Sequence, residues 1–100
     1  MLNDHLNIHT AVLVYFSHDA CNVCKVLKPK VESLLNEQFP KMKMLFVDTN
    51  LQPEIAGQHQ VFTAPTLLVF FEGKEHFRFS RSVSIEQLRQ AIERPYSMLL

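Results

Sequence analysis

Two hydrophobic periods divide this chain. Continuous apolar runs, β-branched or aromatic and free of Gly and Pro, stand at 11–16 (Ala-Val-Leu-Val-Tyr-Phe) and at 66–71 (Thr-Leu-Leu-Val-Phe-Phe). That composition predicts strands covered on both faces. A third run from Met42 to Val47 reads as a second buried strand, with Met42 and Met44 at strand spacing on one side of it. From Glu75 to Ser80 charged or polar residues alternate with aromatic ones, placing His76, Arg78 and Ser80 on one face and Phe77 and Phe79 on the other, as an edge strand requires. Between the strands the period changes. Val23, Val26, Leu27, Val31, Leu34 and Leu35 fall at the three-and-four spacing of a helix from Asn22 to about Phe39, with a kink expected at Pro29 and an end at Pro40.

Turn chemistry fixes the remaining boundaries. Ser17 to Ala20 and Asp48 to Gln52 are polar turns, Pro53 suits the first turn of a short helix through about His59, and Gln60 to Ala64 is a connector. Glu72-Gly73-Lys74 reads as a hairpin turn. Ser84-Ile85-Glu86-Gln87 is a capping box opening a last helix whose stripe is Ile85, Leu88, Ala91 and Ile92, and Pro95 is expected to end it. In residues 1–9, Leu2, Leu6 and Ile8 have a loose helical spacing that fits either a short helix or an irregular lead-in. With no repeats or linkers, the pattern predicts one α/β domain over 1–100, βαβαββα, a four-stranded sheet flanked by helices on both faces. Phe39, Phe46, Phe62, Phe70, Phe77 and Phe79 are its aromatic core candidates.

Charge and composition narrow the function by exclusion. Ten basic residues balance ten acidic ones in a chain that is 47% hydrophobic, so neither a nucleic-acid partner nor a polybasic membrane surface is indicated. The first ten residues have neither a basic n-region nor an apolar h-region, and no apolar run is long enough to span a bilayer. The expectation is a cytoplasmic monomer that touches no membrane.

The two cysteines carry the chemistry. Cys21 and Cys24 lie where the first strand turns into the long helix, so unpaired helix N–H groups and the positive end of the helix dipole favour a thiolate there. A thiolate is the attacking species in disulfide exchange. The spacing lets Cys24 reach back and expel whatever Cys21 has captured, while a loop this small gains little as a structural staple. Cys21, standing ahead of the helix, is expected to be the exposed nucleophile and Cys24, in its first turn, the buried resolver. The helix start should draw the Cys21 thiol below its ordinary range, with the like charge of Asp19 limiting the fall.

With these residues in view, the chain from Ala11 to Ile92 resembles the thioredoxin family. The strand into Cys21-Asn22-Val23-Cys24-Lys25 is similar to that family's active-site entry, Pro29 falls where its helix is kinked, Ala64-Pro65-Thr66 resembles its cis-proline loop, and Phe71-Glu72-Gly73-Lys74 its final hairpin. The resemblance implies a thioredoxin-like fold with strand order second, first, third, fourth, the third antiparallel to the first, and a cis Ala64–Pro65 bond. It implies a thiol-disulfide oxidoreductase acting on protein disulfides, reduced by a thioredoxin-reductase-type donor and needing no cofactor. Ala20, Ala64, Pro65 and Arg81 would contact substrate, Ala64 by strand-like backbone pairing, while Asp19, Tyr15 and Lys25 would modulate the thiols.

The departures from the family pattern are specific. Asn22-Val23 replaces the usual glycine-proline spacer, Ala20 a tryptophan, and Arg81 a glycine beside the groove, where its charge could steady a thiolate or select acidic substrates. Tyr15 replaces a buried acid in the first strand and Met44 is read as replacing the lysine that pairs with it. Losing both members together can be nearly neutral, whereas losing one strands a buried charge at about 3–5 kcal/mol.

Three other readings are weighed against this one. Zinc needs four ligands, and beyond the cysteines only His18 could approach, since His59 and His76 belong to other elements, so no metal site is expected. The remaining histidines read as solvated surface. Glutathione-dependent reduction is the enzymatic alternative, although Ser80-Arg81-Ser82-Val83-Ser84 lacks the paired glycines and acid that glutaredoxins carry before the last helix. A binding or redox-sensing module on the same fold, with little turnover, is the non-enzymatic one.

Overall fold

In the computed structural model, which describes residues 2–81 and 83–100, eight elements follow in order. They are α1 (Leu2–Ile8), β1 (Ala11–Ser17), α2 (Asn22–Gln38), β2 (Lys43–Asp48), α3 (Pro53–Gln58), β3 (Thr66–Phe71), β4 (Lys74–Ser80) and α4 (Ile85–Leu99). Met1 and Ser82, the latter inside the segment compared with glutaredoxins, lie outside the described residues. The sheet order is β2-β1-β3-β4, with β2 parallel and β3 antiparallel to β1, and β4 antiparallel to β3.

Alternation along β1 divides the interior into two layers. Ala11, Leu13 and Tyr15 face a cluster built with Leu27, Val31, Leu34 and Leu35 of α2 and Leu88 and Ile92 of α4. Val12, Val14 and Phe16 face the opposite cluster, with Leu2 and Leu6 of α1 and Ala56 of α3. Because a strand points successive side chains to opposite faces, a run with no polar residue is what a strand with helices on both sides needs. The lead-in therefore resolves as a helix: Leu2 and Leu6, four apart, dock on the second layer.

Several expectations are corrected. Val23 and Val26 are exposed, because the buried stripe of α2 runs through Cys24, Leu27, Val31, Leu34 and Leu35 and Val26 lies more than a quarter-turn from its centre. β2 is an edge strand and only Val47 of it is buried, so Phe46 is 45% exposed, with the Lys28 ammonium 4.3 Å over its ring. Phe62, in the connector, is 83% exposed. His59 is half-buried between the rings of Phe16 and Phe70, and desolvation lowers its pKa below the ordinary histidine value.

Pro95 does not end the last helix. The capping box forms at Ser84 and Gln87, and α4 continues through Pro95 to Leu99. Tertiary contacts hold the turn that proline weakens: Tyr96 packs edge-on against Phe39 at 5.0 Å and its hydroxyl accepts from the Lys41 N–H at 3.0 Å. α2 likewise runs unbroken through Pro29.

Candidate active site

β1 delivers the chain to the site and α2 begins there. Cys21 caps α2, and the Cys24 N–H donates to its Sγ at 3.1 Å. This is one of the amides a helix start leaves unpaired, here directed at a sulfur. Cys21 and Cys24 are joined in a disulfide, with their Cα atoms 5.2 Å apart. In that state Cys21 is 8% exposed and Cys24 3%. The expected contrast between an exposed and a buried thiol is thus narrow in the disulfide, where Cys21 is folded against the start of its own helix.

Tyr15 lies beneath the pair. It is fully buried, and its hydroxyl donates to the Cys24 carbonyl at 2.8 Å. Burial pushes its pKa up to about 12, so at neutral pH the phenol is a donor and not a base. The parallel register sets Phe46 directly opposite Tyr15, their rings 6.1 Å apart, and sets Met44 opposite Leu13. Phe46 is thus the residue directly opposite Tyr15, and Met44 stands two residues away on the same face of β2, in diagonal position to it.

The other predicted residues divide into near and peripheral. Ala64 packs against the cluster that contains both cysteines, and the Ala64–Pro65 peptide is cis with Pro65 buried. The Thr66 hydroxyl donates to the Thr63 carbonyl at 2.7 Å, tying the loop to the start of β3. The Arg81 N–H donates to the Pro65 carbonyl at 2.8 Å, which holds Arg81 in the left-handed region at φ +70, a conformation costing a non-glycine residue about 1–3 kcal/mol. Its side chain is exposed, as are Asp19, Ala20 and Lys25. None of these four has a side-chain bond that draws it onto the sulfurs.

Sequence reasoning missed the bond from Tyr15 to the Cys24 carbonyl and an open cleft beside the cis-proline loop, lined among others by His18, Asn50, Gly57, Phe62 and Ala64. Tyrosine at an odd position of a run facing the helix was the available signal for the first. The cleft had none, since its walls come from four segments.

The comparisons agree with this geometry. The sequence model of the Thioredoxin family matches residues 2–94. The chain belongs to the thioredoxin family. It is 34% identical over 97 residues to a thioredoxin-like protein, YdfQ, of Bacillus subtilis, covering 97% of this chain and 86% of that one. A thioredoxin of Chlamydia trachomatis is 39% identical over 75 residues, covering 75% of this chain and 70% of its own length. Among solved structures, a mutant thioredoxin of Halobacterium salinarum superposes with TM-score 0.86 at 28% identity, covering 99% of this chain and 85% of that one. Thioredoxin 1 of Thermosipho africanus gives 0.79 at 30%, covering 87% and 96%. As a thioredoxin-family protein with an intact cysteine pair, the chain is a thiol-disulfide oxidoreductase. Among the described residues no helix is long and apolar enough to cross a membrane, and no group of three or more His, Cys, Asp or Glu could hold a metal ion.

Proposed function

We propose that Cys21 is the attacking thiolate and Cys24 the resolving thiol in the reduction of protein disulfides. The observation that carries this reading is the Cys24 N–H aimed at Cys21 Sγ, which would stabilise negative charge on that sulfur and on no other. The Cys21 thiolate attacks one sulfur of a substrate disulfide, forming a mixed disulfide and releasing the other sulfur as a thiolate. Cys24 then loses its proton and attacks Cys21 Sγ. The Cys21–Cys24 disulfide forms, the second substrate sulfur leaves as a thiolate, and the substrate has gained two electrons. Tyr15 cannot take the proton from Cys24 at neutral pH, so it passes to water.

The peripheral residues have supporting roles. Ala64 pairs its backbone with the substrate across Pro65, Ala20 leaves the approach to Cys21 open, and the charges of Asp19, Lys25 and Arg81 tune the thiolate and the substrates that approach it. A thioredoxin-reductase-type electron donor returns the electrons, the chain working as a monomer in a reducing cytoplasmic compartment. A relative in Mycobacterium leprae, a bifunctional thioredoxin reductase/thioredoxin, supports the donor, being 32% identical over 71 residues that make up 16% of that protein.

Reduction of insulin by dithiothreitol tests the reading. The wild type should accelerate the turbidity of the released chains, and Cys21→Ser should match dithiothreitol alone. No acceleration by the wild type would favour a binding module with little turnover.

A further inference from the structure

The sheet has two outer strands, β2 and β4, and their edges are built differently. β4 carries Lys74, Glu75 and Arg78, and its pairing with β3 is interrupted by a bulge at Val69 and Phe70. Charge and irregularity of this kind blunt an edge against a further strand. β2 has little of either. Its charges, Lys43 and Asp48, stand at its two ends, its middle is Met44, Leu45, Phe46 and Val47, and its register with β1 is unbroken.

The backbone shows which part of that edge is open. The Thr49 N–H donates to the Ser17 carbonyl at 2.8 Å. A strand aims the groups of successive residues to alternate sides, so those of Leu45 and Val47 serve β1 as well, and those of Met44 and Phe46 point off the sheet. Toward the ends, outward groups are already in use: the Met42 N–H donates to the Phe39 carbonyl at 3.0 Å, and the Asp48 carbonyl accepts from the Gln52 N–H at 2.8 Å. In between, the N–H and C=O of Met44 and of Phe46 meet no other strand of the sheet.

A second copy of β2 matches this edge. In antiparallel pairing about a twofold axis at Leu45, Met44 of each copy stands opposite Phe46 of the other. Each such pair exchanges both of its hydrogen bonds, so the open groups of both copies are satisfied. The side chains agree with the register. Met44 and Phe46 share the face toward α2, which gives two contacts of sulfur with an aromatic ring and covers a ring that is 45% exposed. On the other face Leu45 meets Leu45 and Lys43 meets Val47, with no like charges opposed. Clefts of about 210 and 230 Å³ beside β2, one lined by Leu45 and Val47 and the other by Met44 and Phe46, leave space for these side chains. A chain of zero net charge adds no overall repulsion between copies.

We propose that the edge of β2 is a self-association surface, through which two copies join their four-stranded sheets into one. The contact is small, below the roughly 1,200 Å² at which stable complexes begin. The chain is therefore single when dilute and paired when concentrated, and the blunted β4 edge stops growth at two. β1, parallel to β2, leads to the cysteines at one end of each sheet. The twofold axis thus sends the two dithiols to opposite ends of the joint sheet, and each chain exchanges disulfides on its own.

Sedimentation equilibrium from about 10 µM to about 1 mM, the range in which so small a contact forms, tests the pairing. The average mass should rise from that of one chain toward twice that value and no further. Over the same range, amide hydrogen exchange at Met44 and Phe46 should slow severalfold. Met44→Pro removes an outward N–H without touching the bonds to β1, and Phe46→Lys puts a charge in the middle of the edge. Each variant, checked for folding by thermal melting, should weaken the pairing by at least about tenfold. A single-chain mass at every concentration would overturn the proposal. So would association that leaves the exchange of Met44 and Phe46 unchanged, that continues beyond two copies, or that persists undiminished in both folded variants.

Discussion

Cys24→Ser protein mixed with a disulfide-bonded substrate is expected to accumulate a covalent adduct through Cys21, whereas Cys21→Ser protein accumulates none. The first variant keeps the thiolate whose sulfur faces the Cys24 N–H and lacks the group that releases the captured substrate. The second keeps only the thiol inside the buried stripe of α2. Both should lose essentially all turnover, so turnover alone does not separate the roles. Non-reducing electrophoresis with peptide mapping does, and an adduct on Cys24 of the Cys21→Ser protein would reverse the assignment.

Truncating Tyr15 to alanine is expected to cost about 3–5 kcal/mol, because it opens a cavity under the helix start in a layer with no solvent access. Tyr15→Phe keeps the ring and loses only the bond to the Cys24 carbonyl, for about 0.5–1.5 kcal/mol. The two variants also differ from the wild type in alkali. The folded-state pKa of Tyr15 is raised to about 12 from an ordinary value of 10.0. Its contribution is then fully present below pH 10 and lost as pH rises from 10 through 12, since the unfolded chain releases the proton first. Urea unfolding across that window should show wild-type stability falling more steeply than that of Tyr15→Phe. Equal slopes would mean that the phenol is not held in a desolvated site.

How far the sequence reaches is set by whether a feature is local. β1 and β3 were legible because burial on both faces writes an unbroken apolar run, and the Ser84 capping box because it is complete within four residues. The continuation of α4 past Pro95 was not, since the contacts that hold it come from Phe39 and Lys41, more than fifty residues away. Phe46 and Phe62 look like core residues by type and are exposed by position, one on the edge strand and one on the rim of the cleft. At the site, the cysteines and the cis-proline loop were readable as motifs. Tyr15 was singled out as a substituted acid, but its bond to Cys24 and its partner Phe46 needed the parallel register.

Timed alkylation of the reduced protein tests the central claim, that Cys21 is the thiolate of the pair. With iodoacetamide near neutral pH, mass spectrometry of short time points should find the label on Cys21 well before any on Cys24. Label appearing first on Cys24, or on both at the same rate, would contradict it.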